Sequence, residues 1–211
     1  MGTAAEYLDK TESAVRILFD GIDAYFVVLR NEPSGVRSHS HGEDPSHEYV
    51  QWAAENPEKL QAAFEAQRRF VAESFALATL CGGVLQIAAK AIECYSKVDD
   101  VPEDCQYFFS QPATRPFCIG RRVHGVPIGL VIYAGRNQAT HFNEKKLSEL
   151  NEAIFRRLSD GNPSILDKGL RDSSFDLLNP NLTNFASNIT TLLGWQSFHE
   201  YDEDMRALLL K

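Results

Sequence analysis

Paired cysteines of the kind that clasp a metal are missing from this 211-residue chain. Cys81, Cys94, Cys105 and Cys118 form no CxxC pair and have no histidine at a partnering spacing, which excludes a zinc knuckle and a thioredoxin-type motif. They are expected to be reduced and mostly buried, the pattern of a cytoplasmic protein. The N-terminal MGTAAEYLDK has neither the basic region nor the apolar core of a signal peptide, and Glu6 stands where a myristoylation signal needs Ser or Thr. Glu, Lys or Arg interrupts the apolar stretches at short intervals, so none is expected to span a membrane and a soluble protein is expected. Positive charge is scarce too. A net charge of −8 argues against a general nucleic-acid coat. Neither an internal repeat nor a low-complexity tract is present, and no cofactor or metal is expected.

What the chain does have is apolar content, 44% of its residues, enough to bury a core. A single helical domain over residues 1–211 is expected, with a core from about 4 to 160 and a C-terminal helical extension from about 165 to 211. Leu8, Val15, Leu18, Phe19, Ile22, Tyr25, Phe26 and Leu29 recur at three- and four-residue spacings, the periodicity of an amphipathic helix over 4–31. Residues 32–46 are polar and rich in Gly, Pro and Ser and read as a loop. His39, His41 and His47 lie in or beside it, with Glu43 and Asp44 among them. No rigid element fixes the geometry that a ligand set needs, so a solvated loop is the better account.

A second helical region runs from His47 to about Ser96, broken near Asn56-Pro57, where Asn56 can cap and Pro57 can occupy a first turn. Past Val71 it is more than half apolar and should be buried on more than one side. Glu73 stands in that stretch, where a carboxylate is costly without a partner. Arg136 and Arg69, the latter at i−4, are the two candidates. Residues 97–118 form an aromatic connector with Pro102, Pro112 and Pro116. Val126 to Tyr133 fits either a buried strand or a helix; the chain has no second strand of comparable quality, so a helix over about 126–142 with Pro127 in its first turn is expected. Helix continues over 143–160 with Leu147, Leu150, Ile154, Phe155 and Leu158 on one face. Two short amphipathic helices follow, at 181–193 and about 200–210.

Charge is not spread evenly. Residues 1–114 hold 9 basic and 18 acidic side chains, residues 115–157 hold 8 and 3, and residues 158–211 hold 4 and 8. The middle segment is therefore a basic patch on an acidic body, suited either to an anion or to an acidic neighbour, since charge acts over roughly 8 Å at physiological salt. It contains GVPIGLVIYAGRNQATHFNE, residues 125–144, where an apolar run delivers Arg136, Asn137 and His141 at its polar end. Arginine can hold a phosphate and histidine can move a proton. On a regular helix Asn137 and His141 share a face, whereas Arg136 and His141 project roughly 140° apart. One copy therefore splays the pair, and a shared site would need a two-fold axis to bring two copies together. The competing account has Arg136 and Asn137 capping or salt-bridging and His141 as a helix-end residue, as in a structural or sensory helical dimer whose acidic faces bind a protein partner and whose Arg136 pairs with Glu73.

The stretch IYAGRNQATHF resembles the signature of the HEPN superfamily, an arginine followed after four to six residues by histidine, with a polar residue directly after the arginine. Arg136, Asn137 and His141 match it with four intervening residues. The resemblance implies an all-α, up-and-down helical bundle, here with additional C-terminal helices, that dimerises along the motif helices. It also implies a metal-independent endoribonuclease site shared by the protomers, with Arg136, Asn137 and His141 as its catalytic residues. Many members are toxins of toxin–antitoxin or phage-defence systems, so a protein or nucleotidyltransferase antitoxin is an expected partner. Others only bind RNA or nucleotides. Arg121, Arg122 and His124, in GRRVHG just before the apolar run, could extend the anion surface. A helix over 126–142 would set them about 24 Å from the motif at 1.5 Å per residue, outside its site within one protomer.

Overall fold

The computed structural model describes residues 2–31, 54–98, 100–108, 112–143, 146–161, 171–179 and 184–210. The loop with His39, His41 and His47 lies outside them. The described residues are mostly helical, with one pair of two-residue strands and short turns between the elements.

Helix α1, Ala4–Asn31, starts where the Thr3 hydroxyl accepts the Glu6 N–H and the Glu6 carboxylate accepts the Thr3 N–H, a reciprocal cap that the sequence spacing permits. Helix α2, Pro57–Tyr95, begins at the proline, with Asn56 accepting the Leu60 N–H through its backbone carbonyl. Contacts group residues 1–22 with 78–211 in one compact unit and set 23–77 apart in a second, so both helices contribute to each. In the second unit Val27, Phe64, Val71 and Phe75 are exposed, and Glu73 is half-buried. The expectation that no apolar run is long enough to cross a membrane does not hold: Val71–Tyr95 meets that test of length and apolarity. Half of that stretch is buried inside the protein, as in core helices that pass the same test.

The first unit holds the core. Leu8, Val15, Phe19 and Ile22 of α1 and Ala78, Cys81, Val84, Leu85, Ala88 and Ile92 of α2 are buried there. The Tyr7 hydroxyl donates to the Ile87 carbonyl and ties the two helices together. Short 3-10 turns at Glu103–Phe108 and Pro112–Phe117 carry the connector. Strands β1, Arg122–Val123, and β2, Val126–Pro127, then pair antiparallel across His124 and Gly125, both at positive φ, the sign pattern of a tight two-residue hairpin.

Helix α3, Ile128–Thr140, follows at once, so the motif helix is two residues shorter at each end than its apolar run suggests. Pro127 sits outside it as the N-cap, because its neighbour Val126 is engaged in the hairpin. The structure thus combines the two readings of 126–133, a minimal strand and then a helix. Ile128, Leu130, Val131, Ile132 and Ala134 are all buried, around the whole circumference. Each large aliphatic side chain so placed stabilises by about 1.5–3 kcal/mol. Two glycines let neighbours come close. A Cβ at Gly129 would fall 2.3 Å from the Phe117 carbonyl oxygen, and one at Gly135 would fall 2.5 Å from Ile189.

Helix did not continue unbroken over 143–160 as expected. It stops at Thr140 and resumes as α4, Glu149–Asp160, because Ser148 caps the new start with its hydroxyl on the Asn151 N–H. Leu150, Ile154, Phe155 and Leu158 are buried on one face as the spacing predicts. Helix α5, Ala186–Leu193, begins later than expected, and α6, Phe198–Leu209, opens on a capping box between Ser197 and Glu200. Helix α3 packs against α4, α5 and the Pro112–Phe117 turn, which fixes it in the centre of this unit.

Candidate functional site

Helix α3 ends where the chemistry-bearing residues begin. His141 is its C-cap, with φ −112° and its N–H bonded to the Asn137 carbonyl. The side chain is exposed. Thr140 donates its hydroxyl to the Arg136 carbonyl, satisfying another of the last acceptors.

The chain then turns and α4 begins beside it. Between the C-terminal end of α3 and the N-terminal end of α4 lies a cleft of about 570 Å³. Asn137 and His141 both line it, as their i, i+4 spacing requires. Lys146, Ser148, Glu149 and Asn151 line the opposite wall. The first turn of a helix presents unpaired N–H groups and positive partial charge, so α4 adds an anion-favouring end to the same cleft. Glu149 opposes it with a carboxylate.

Arg136 does not line this cleft, which agrees with the splay that helix geometry imposes on the Arg136 and His141 pair. Its guanidinium carbon stands 5.7 Å from the Tyr133 ring centroid, and that ring packs 5.0 Å from Phe117. The Arg136 Nε is buried and has no hydrogen-bond partner among the described residues. A buried donor left unmade costs about 1–3 kcal/mol, so the group is held at a stability loss. Glu73 lies in the second unit, and the Arg69 side chain is outside the described ones.

Gln138 and Asn151 were not singled out from the sequence. Gln138 is buried and its Oε1 accepts the Phe185 N–H at 2.9 Å, which anchors the start of α5 to the motif helix. Asn151 is only 4% exposed, and its Oδ1 has no partner among the described residues. A signal for it existed. Asn151 falls four positions after Leu147 and four before Phe155, a polar residue on the apolar face of α4. Gln138 offered no such cue, since its partner lies 47 positions away.

The GRRVHG residues sit at the other end of α3, about 18 Å away by helix rise. Arg121 forks onto Asp204, with Nε at 3.0 Å and Nη2 at 2.8 Å, and Nη2 also donates to the Leu193 carbonyl. Those bonds to Asp204 hold its guanidinium above the ordinary arginine range. Asp204 in turn accepts from the Trp195 indole N–H at 2.8 Å. Arg122 reaches the Cys105 sulfur at 3.4 Å, and His124 Nδ1 lies 2.8 Å from the Leu158 carbonyl at the C-terminal part of α4. Within the protomer the structure therefore brings together Asn137 and His141, leaves Arg136 on a neighbouring face, and keeps Arg121, Arg122 and His124 apart from them.

Among the described residues no three His, Cys, Asp or Glu side chains gather in a way that could hold a metal ion. Cys81 is buried against Thr190, and burial pushes its thiol up to about 11, which keeps it protonated and inert. Compared with family models, with curated proteins and with solved structures, the chain finds no match.

Proposed function

We propose that this chain is a metal-independent endoribonuclease of the HEPN kind, working as a homodimer in the cytoplasm, with Arg136, Asn137 and His141 as its catalytic residues. The observation that carries the reading is local. An exposed histidine caps a largely buried helix beside an open cleft, and an arginine just over one turn earlier has a buried guanidinium nitrogen with no partner among the described residues.

Cleavage would proceed by internal transfer. The His141 imidazole of one protomer takes the proton of an RNA 2′-hydroxyl, whose oxygen then attacks the adjacent phosphorus. The bond from phosphorus to the 5′-oxygen breaks, and that oxygen receives a proton from the second protomer's protonated imidazole. The products are a 2′,3′-cyclic phosphate and a 5′-hydroxyl. Arg136 stabilises the added negative charge on the phosphorane, and Asn137, on the His141 face, orients the imidazole or the phosphate. Because one protomer splays Arg136 from His141, two copies complete the site.

Toxin or phage-defence action, restrained by a protein or nucleotidyltransferase antitoxin, is the biological setting this chemistry suits. Binding of RNA or a nucleotide without cleavage is the second reading, favoured by the amide-lined wall of the cleft. The two are separated by incubating purified protein with a panel of single-stranded RNAs in EDTA and analysing the new ends. Cyclic phosphate ends that vanish with folded His141→Ala and Arg136→Ala variants support the ribonuclease. Intact RNA that is bound, with binding lost in Arg136→Ala, supports the second reading and removes the first.

A further inference from the structure

We propose that the cleft between α3 and α4 seats one nucleotide, its base read by the Asn151 amide and its phosphate turned toward Asn137, His141 and Lys146. The proposal deepens the ribonuclease reading and depends on it only for placing a phosphodiester at His141. A cleft of about 570 Å³ is the size of a small-molecule site, which runs roughly from 300 to 1,000 Å³.

The chemistry of the wall chooses the occupant. Carboxamides offer donors and an acceptor at fixed spacing, the complement of a base edge, and Asn137 and Asn151 face one cleft from two helices. Gln138, on the same helix as Asn137, shows what a structural amide does here, since its oxygen is spent on the Phe185 N–H. Asn151 is different. It is as deeply set as Gln138, yet its Oδ1 has no partner among the described residues, and its backbone N–H already serves the Ser148 cap. Asn151 thus lines the cleft with a side-chain oxygen unspent among the described residues.

The charges fit the other half of a nucleotide. His141 and Lys146 are exposed at the cleft, an imidazole and an ammonium that can both donate to a phosphate, and the start of α4 adds positive partial charge. Glu149 stands on the same wall and disfavours a small bare polyanion. A ligand with a neutral, hydrogen-bonding body and a single phosphate meets both requirements.

The test is a fluorescence-anisotropy titration of the full chain with labelled single-stranded hexamers of A, C, G or U. Each is 2′-deoxy throughout and so cannot be cleaved. One base is expected to bind about tenfold more tightly than the others, the scale of one good amide-to-base pairing. Asn151→Ala is expected to flatten that preference and Asn151→Asp, nearly the same shape with its donor removed, to change which base is preferred, with circular dichroism confirming the fold. Equal binding of all four hexamers, or an unchanged preference in both folded variants, overturns the proposal. Competition by the matching free 5′-monophosphate identifies the natural source: equal affinity points to a free nucleotide, much weaker affinity to a strand, and either supports the seat. If natural RNA is left uncut while the preference holds, the ribonuclease reading fails and the seat stands. Cutting without base preference sinks the seat alone.

Discussion

At the N-terminal end of α3, Arg121 divides its donors between Asp204 and the Leu193 carbonyl, and His124 meets the Leu158 carbonyl. At the C-terminal end, the buried Arg136 Nε and, across the cleft, the buried Asn151 Oδ1 have no partner among the described residues, and His141 is exposed beside an open cleft. The two ends draw on the same residue types. One has used them to hold α6 and α4 in place, and the other keeps buried polar atoms without a hydrogen-bond partner among the described residues. Buried polar groups are normally paired; of four exceptions among the described residues, Ser96 and Tyr201 lie elsewhere, while Arg136 on α3 and Asn151 on α4 are the two near this end and the ones we assign to a partner from outside the fold.

The comparison breaks most visibly in activity. His141→Ala and Arg136→Ala should each lower RNA cleavage by about 10²–10⁴-fold, the range for removing a positioned acid or base. Melting temperatures measured in parallel should stay close to the parent, and a collapse of the fold in either variant would place that residue with the structural end.

Structure dominates in the next case. Gly129→Ala puts a Cβ against the Phe117 carbonyl oxygen, a backbone atom that cannot rotate away, and should destabilise by about 1–3 kcal/mol. Denaturant unfolding reads this directly. A variant as stable as the parent would mean that α3 is not clamped at its start.

Smaller, and more telling, is a pair of arginine substitutions. Arg121→Met removes a half-exposed pair and should lower stability by about 0.5–1 kcal/mol. Arg136→Met replaces an unpaired buried nitrogen with an apolar group and should leave stability unchanged or raise it. Reversal of that order in thermal melts would erase the contrast between the ends.

The smallest effect concerns acid. The Ser197 hydroxyl, first among its contacts, holds the Glu200 carboxylate below its ordinary range at the start of α6, the helix that carries Asp204. A carboxylate depressed in the folded state contributes stability above its ordinary value near 4.3 and loses it as pH falls through the folded value. Melting should therefore decline below about pH 4.3, and Glu200→Gln should shallow that decline. An identical acid profile would remove Glu200 from the account.

Much of this arrangement was legible in the chain. The apolar spacing of α1, the Asn56-Pro57 break before α2 and the buried face of α4 are local patterns, and local patterns survive into the fold. Helical spacing also placed Asn137 with His141 and apart from Arg136. Three features were not readable in advance. The hairpin of β1 and β2 is too short for β-propensity to register, and α3 yields Pro127 to it. The break between α3 and α4 lies in HFNEKKLSE, which has no Gly or Pro, so helix-forming Glu, Lys and Leu mask the Ser148 cap. The pairing of Arg121 with Asp204 spans 83 positions and has no local trace. What separated a structural arginine from a candidate catalytic one was therefore its partner, which only the folded chain supplies.

The most direct trial is the cleavage rate of single-stranded RNA in EDTA by Arg136→Met and Arg121→Met side by side, below the melting temperature of both. Loss of about 100-fold or more in Arg136→Met, with Arg121→Met within a few-fold of the parent, is the expected result. Equal losses, or a parent protein that leaves the RNA whole, would contradict the division of labour between the two ends of α3.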